Sequence, residues 1–319
     1  MPPCLLVNPR SFRASRSGMA RRATQLAQAA GLEVHEVVDP VSLRARLDAL
    51  RDRRAEVIWI LAGDGTIHAL AEYFAQTTPD WSPALLLLAG GRANVVPREF
   101  DGYPAMPALR RALAALRAGR PLREEPLLTL QLSQAGRESR HGFVFAGALI
   151  HEAVRLTAEN RAAGRGWWRH SWFSDPYILV RWAVRTLVFR RPLPQSSPVV
   201  ARMAGGGELT GRMRALVATT LEMRKALYNP FAERGAGSVR FTAISAAAPS
   251  LWGMLPKLLK GRFDANMDVA QGILSGRSER VELQGVAAYA LDGELFSADP
   301  ALPLVFTAGV TLRALRPAP

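Results

Sequence analysis

Three short stretches hold residues whose types and spacing could do chemistry. The first is WILAGDGTIHAL at 59–70, where an apolar run stops at Gly63, Asp64, Gly65 and Thr66 and a second apolar pattern begins. Glycine lets the backbone bend sharply or approach a ligand closely. A buried strand, a glycine turn and a helix start together form an anion site, because helix N-terminal N–H groups and the macrodipole favour negative charge. Asp64 would repel a phosphate placed beside it. It makes sense there if it coordinates Mg²⁺, accepts hydrogen bonds from ligand hydroxyls, or orders an Asp-Gly turn with Thr66 as N-cap. Spacing alone favours the plain turn, since neither GxxxxGK[ST] nor GxGxxG is present.

The second stretch is LLLLAGGRANVV at 85–96. Gly90 and Gly91 end another apolar run, Arg92 could reach a phosphate, and Asn94 could hydrogen-bond a base or the backbone. The third is AAYALDGELFS at 287–297. Asp292-Gly293 between alternating apolar residues is a strong hairpin signal. Glu294, just after the turn, could act as a general base if it faces a cleft.

These residues need elements to position them. Residues 4–120 alternate strand and helix signals: strands at Cys4–Val7, Glu33–Val38, Val57–Leu61 and Ala84–Leu88, and helices at 18–30, 41–53, 67–74 and 107–118. That order argues for βαβ units and a parallel sheet. Both glycine turns follow parallel strands and so share one sheet edge, the edge at which open α/β sheets bind ligands. From about 122 the pattern becomes short strands broken by Gly, Pro and Ser, as expected of a mostly β sandwich. A helical insertion falls near 151–189, Met203–Thr210 reads as a hairpin loop, and Pro192–Pro198 is the best hinge. The expected division is an α/β nucleotide-binding domain at 1–121 and a β-sandwich at 122–303, with a strand from about 304–319 packing back near the boundary.

The chain has 319 residues, enough for two cores, and one cysteine, Cys4, which excludes a disulfide framework or a Cys-rich zinc site. No signal peptide and no apolar run of membrane-spanning length is visible, so a cytoplasmic place is expected, with a peripheral one on the inner membrane face. The net charge is +14, and three of the 41 basic residues are Lys. That balance suits a polyanionic partner, though Arg richness also follows from GC-rich coding.

In order along the chain, Asn8-Pro9-Arg10-Ser11, AGDGTIHAL, GGRANVVPR, FVFAGALIHEAV and LDGEL resemble the motifs of the diacylglycerol kinase catalytic family, soluble bacterial lipid kinases related to sphingosine and ceramide kinases. The resemblance spans nearly the whole chain. It implies an active site in the cleft between an α/β domain and a β-sandwich, with ATP and Mg²⁺ as cofactors and a lipid hydroxyl as acceptor. Asn8, Gly63, Asp64, Gly65, Thr66, His68, Gly91, Arg92 and Asn94 would contact the nucleotide, and Asp64 would serve the metal. Glu294 matches the glutamate that deprotonates the acceptor. The match is not uniform. Ala62 stands for the first Gly of GGDGT, and His68 and Ala69 stand for the usual Asn and Glu. Arg92 and Val95 replace Thr and Asp in the GTxND loop. Arg234-Gly235-Ala236-Gly237-Ser238 lacks both acids of a DGLLD-like metal loop.

Residues 165–191 hold Trp167, Trp168, Trp172 and Trp182, four of the seven Trp, interleaved with Arg. Such a segment suits a membrane interface carrying anionic lipid, and equally an amphipathic helix burying its aromatics. None of the five His makes an HxxxH or HExxH pair. The expected activity is ATP-dependent phosphorylation of a diacylglycerol, ceramide or sphingoid-type hydroxyl. The alternative is a non-catalytic basic membrane- or lipid-binding protein that kept the kinase fold. Nucleic acid is not an expected partner, because it would leave GDGT and LDGE unexplained.

Overall fold

A computed structural model describes residues 2–16, 18–77, 81–163, 198–223, 229–248, 257, 262–263 and 267–317. The first part runs β1 (Cys4–Val7), α1 (Phe12–Arg16), α2 (Met19–Ala29), β2 (Glu33–Glu36), α3 (Pro40–Asp52), β3 (Val57–Ala62), α4 (Asp64–Gln76), β4 (Ala84–Ala89), α5 (Val95–Glu99) and α6 (Ala105–Arg117). Strands β2, β1, β3 and β4 lie side by side in that order, all parallel. The strands alternate their faces. Leu6, Ile58, Ile60, Leu85 and Leu87 pack under α3 and α4, while Leu5, Trp59, Leu61, Leu86 and Leu88 pack under α2 and α6. A strand covered on both faces must read as a continuous apolar run, which is why β3 and β4 were legible in the sequence. Leu85 to Leu88 are at most 1 % exposed, and each contributes roughly 1.5–3 kcal/mol by leaving water. Helix α3 begins on a capping box: Asp39 accepts from Ser42 N–H at 2.7 Å, and the Ser42 hydroxyl accepts from Asp39 N–H at 3.1 Å.

The second part runs β5 (Arg123–Ser133), β6 (Arg140–Gly142), β7 (Val144–Ala148), α7 (Leu149–Ala163), β8 (Val199–Met203), β9 (Gly207–Gly211), β10 (Met213–Thr219), β11 (Val239–Ser245), β12 (Ile273–Ser278), β13 (Arg280–Gln284), β14 (Ala288–Leu291), β15 (Glu294–Ser297) and β16 (Leu304–Arg316). Strands β12, β11, β10, β7, β14 and β15 form one antiparallel sheet. Its apolar face packs on β5, β8, β13 and the start of β16, burying Phe145, Leu216, Phe241, Leu283, Tyr289 and Phe306 together. The result is α/β, a parallel sheet with helices on both faces followed by an antiparallel sandwich, as the sequence pattern implied.

Several elements differ from the sequence reading. Helix α4 starts at Asp64 rather than Ile67, with Gly63 as its N-cap, so the GDGT residues form its first turn and Thr66 is not the cap. Strand β16 continues to Arg316, pairs with β5 along one edge, and meets β13 and then β4 along the other. Helices α1 and α5 and strands β6, β9 and β12 were not foreseen. They are short, and in all but α1 Gly or Pro interrupts or bounds them. The Gly-rich stretch at 203–210 is a hairpin between β8 and β9. Helix α7 covers the start of the expected insertion. The four Trp residues at 167–182 and most of the expected hinge lie outside the described residues.

Candidate active site

Register places the two glycine turns together. Ala62 at the end of β3 pairs with Ala89 at the end of β4, and Gly90 N–H donates to Ala62 O at 2.8 Å. The turns that follow therefore leave the sheet side by side. They touch so closely that a Cβ on Gly91 would stand 2.7 Å from Asp64 Oδ2 and 2.8 Å from Gly63 Cα. The loop after β1 closes the same edge. Ser11 Oγ accepts from Gly63 N–H at 2.8 Å, and the Asn8 amide donates to Thr66 Oγ1 at 2.9 Å.

Asp64 is drawn inward, and its Oδ2 accepts from Ala93 N–H at 3.2 Å. Burial pushes its carboxyl above the ordinary carboxylate range. N–H groups of Ala93, Asn94 and its own backbone pull it back, and the Asp292 charge adds to the rise. A carboxylate held so, at the first turn of a helix, is a hard-oxygen donor that suits a divalent cation shared with phosphate oxygens. No other acid is spaced to complete an all-protein cage with it among the described residues.

Arg92 lies with its guanidinium 3.7 Å from the centre of the Phe12 ring. Asn94 differs from the expectation. It is 1 % exposed in a left-handed conformation, its Oδ1 accepts from Gly91 N–H at 2.8 Å, and its Nδ2 donates to Gly91 O at 2.9 Å. Its amide shapes the loop and has no face toward a ligand. His68 also differs. Four residues into α4 from Asp64, it points toward the second part of the chain and contacts neither cavity at the turns. Its Nδ1 lies 3.0 Å from Asp292 Oδ2. Burial works against a charged ring, yet the hydrogen bond and charge of Asp292, with Glu72 and Glu294 adding, hold its pKa above the ordinary value.

Asp292 and Gly293 make the hairpin turn between β14 and β15, both with positive φ, as a type I′ turn requires. The sequence reading stopped there. In the structure the Asp292 carboxylate also accepts from Phe143 N–H at 3.1 Å and Val144 N–H at 2.9 Å, so the turn is fastened to β7. The signal for this was the hydrogen-bonding capacity of an Asp at a turn, but its partners lie far away in sequence.

Glu294 emerges from this turn beside the GDGT residues, its Oε1 3.5 Å from where a Cβ on Gly65 would stand. Two cavities meet there. One of about 350 Å³ is lined by Asn8, Arg10, Ser11, Gly63, Thr66 and Glu294, among others. The other, about 710 Å³, starts at Asp64, Gly91, Arg92 and Glu294 and continues between the antiparallel sheet and α7 along apolar residues such as Phe143, Ala146, Ile150, Val217 and Phe231.

Residues 2–123 match the family model for the diacylglycerol kinase catalytic domain. The fold extends the likeness over the whole chain. A diacylglycerol kinase from Bacillus anthracis str. Sterne superposes with a TM-score of 0.62 at 11 % identity, covering 98 % of this chain and 96 % of that one. A candidate diacylglycerol kinase of the same organism gives 0.66 at 14 % identity over the same shares. No curated protein matches the sequence. The matched segment ends before Asp292, Glu294 and the residues of the antiparallel sheet and α7 that line the rest of the apolar cavity, so these rest on the structure. In the loop at 234–238, Arg234 donates through Nε to Ser275 O and through Nη2 to Met267 O, each at 2.8 Å. No described helix is long and apolar enough to cross a membrane.

Proposed function

We propose that this protein is an ATP-dependent lipid kinase acting on the hydroxyl of a diacylglycerol, ceramide or sphingoid-type lipid at an anionic membrane surface. The observation that carries this reading is the position of Glu294, a carboxylate on the wall shared by a polar cavity and a long apolar one. A nucleotide suits the first, because Asn8, Arg10, Gly63, Gly65 and Thr66 line it. A hydrocarbon chain suits the second. Phosphoryl transfer needs in-line positioning, charge neutralisation and one base. Glu294 takes the acceptor proton as the acceptor oxygen bonds to the γ-phosphorus and the bond to the departing ADP oxygen breaks. Arg92 and the first turn of α4 offset phosphate charge. Asp64 would hold Mg²⁺, which supplies further charge neutralisation on the phosphates. The charge of +14 supports docking on anionic lipid.

The test is phosphate transfer from labelled ATP with Mg²⁺ to a panel of diacylglycerol, ceramide and sphingosine in mixed micelles. Labelled lipid from the wild type, lost in Glu294→Gln while ATP still binds, supports the reading. Equal turnover in Glu294→Gln refutes the base assignment. Lipid binding without any labelled product leaves the non-catalytic lipid binder.

A further inference from the structure

Helix α4 carries the nucleotide turn at one end, and a polar seam further along joins it to the second part of the chain. Two ties lie one helical turn apart on the same helix face. His68 Nδ1 meets Asp292 Oδ2 at 3.0 Å, and Glu72 Oε1 accepts from His141 N–H at 3.0 Å. The first tie is enclosed: the side chains of His68 and Asp292 are 11 % and 8 % exposed, and the Phe296 ring of β15 lies 6.0 Å from the imidazole. Asp292 is fully committed. It receives the N–H groups of Phe143 and Val144, its own N–H donates to Val144 O at 2.9 Å, and Gly142 leaves room for it because a Cβ there would stand 2.5 Å from Oδ2. Glu294 is two residues away, across the hairpin from Leu291.

We propose that His68 is a positioning residue: by holding Asp292 it fixes the turn that aims Glu294 at the nucleotide loop. The ring lines neither of the two cavities described above, so it acts through Asp292. The proposal rests on the kinase reading, because aiming Glu294 matters to turnover only if Glu294 is the base. The charges facing the ring are Asp292 and Glu294 from the hairpin and Glu72 from its own helix. The β6 face adds the Arg140 guanidinium, which lies against Phe296, and the His141 ring, whose burial disfavours charge. This mostly acidic surround favours the charged form of the ring, against its burial. An Asn at 68 can still donate to Asp292 but carries no titrating proton.

Two measurements test this, and the first needs no activity. Amide hydrogen exchange at 142–145 and 291–297 should quicken in His68→Ala and stay near wild type in His68→Asn. Unchanged exchange in a folded His68→Ala would overturn the proposal. In the transfer assay, His68→Ala should lose roughly 10- to 100-fold in kcat with KM for ATP unchanged, as expected when a charge-assisted hydrogen bond that orients a reacting group is removed. A loss of ATP affinity in step with kcat would overturn it, since His68 would then serve the nucleotide. Should His68→Ala fail to fold, His68→Asn carries the test. Its kcat should stay within a few-fold of wild type and lose the decline expected of wild type as pH rises through the His68 pKa, and an unaltered pH profile would overturn the proposal. A wild type that transfers no phosphate would defeat the kinase reading and leave the exchange comparison standing.

Discussion

Gly91→Ala isolates the close approach of the two glycine turns. Gly91 does not have a positive φ, so alanine suffers no conformational penalty there, and the whole effect is steric. Its Cβ would meet Asp64 Oδ2 at 2.7 Å, Gly63 Cα at 2.8 Å and Asp64 N at 3.0 Å. Two of the three are backbone atoms, which cannot swing aside as a side chain does. Overpacking a tight site costs typically 1–3 kcal/mol. If the turns separate to relieve it, that cost falls on the ligand-competent arrangement, and ATP should bind roughly 5- to 150-fold more weakly. Two neighbours act as controls. A Cβ on Gly63 meets Ser11 Oγ at 3.3 Å, and one on Gly65 meets Glu294 Oε1 at 3.5 Å, ordinary contact. Gly65 lies within α4, where alanine favours the helix by about 1 kcal/mol over glycine. Titration calorimetry with ATP, beside thermal melts, should rank the losses of affinity as Gly91→Ala largest, Gly63→Ala intermediate and Gly65→Ala smallest. Equal ATP affinity in wild type and Gly91→Ala, with equal melting temperatures, would refute the argument that the turns need this contact.

Two further outcomes follow from the same geometry. Val217→Trp fills part of the 710 Å³ cavity and should raise the acceptor KM by roughly tenfold, about 1.4 kcal/mol, while KM for ATP stays fixed; steady-state kinetics with both substrates varied measures it. The His68–Asp292 pair also makes stability depend on pH. The folded pKa of His68 is raised, so the stabilisation is fully present below the unfolded value of about 6.5 and is lost as pH rises through the folded value. Urea midpoints from pH 5.5 to 9 should fall along that limb in wild type and stay flatter in His68→Asn.

What could be read from the sequence followed from local physics. Ile58–Leu61 and Leu85–Leu88 announce buried parallel strands because both their faces are covered. Gly63 and Gly90 announce the turns, and the shared edge follows from parallel strand order. Glu294 stood out because a hairpin signal precedes it. What stayed hidden depended on partners remote in sequence. Nothing near His68 says that Asp292 faces it, 224 positions away. Asn94 looked like a ligand-facing amide, and only its left-handed backbone turns the side chain onto its own loop. The 710 Å³ cavity arises from the gap between α7 and the antiparallel sheet, a tertiary property that no single segment encodes.

Strand β16 carries a consequence for how the chain comes to be folded. Ala84 and Leu85 on β4 pair with Arg313 and Ala314, and Arg313 also donates to Ser82 O at 2.8 Å across 231 positions. During synthesis the parallel half emerges first, with its β4 rim unpaired until residues 304–316 arrive. Pairings of such wide separation close slowly, and an apolar strand left open meanwhile invites association with other copies. A fragment cut near residue 121 should therefore aggregate, and supplying residues 304–316 through a short flexible linker should restore its solubility. The strand that completes this closure lends Phe306 to one core and Leu312 to the other.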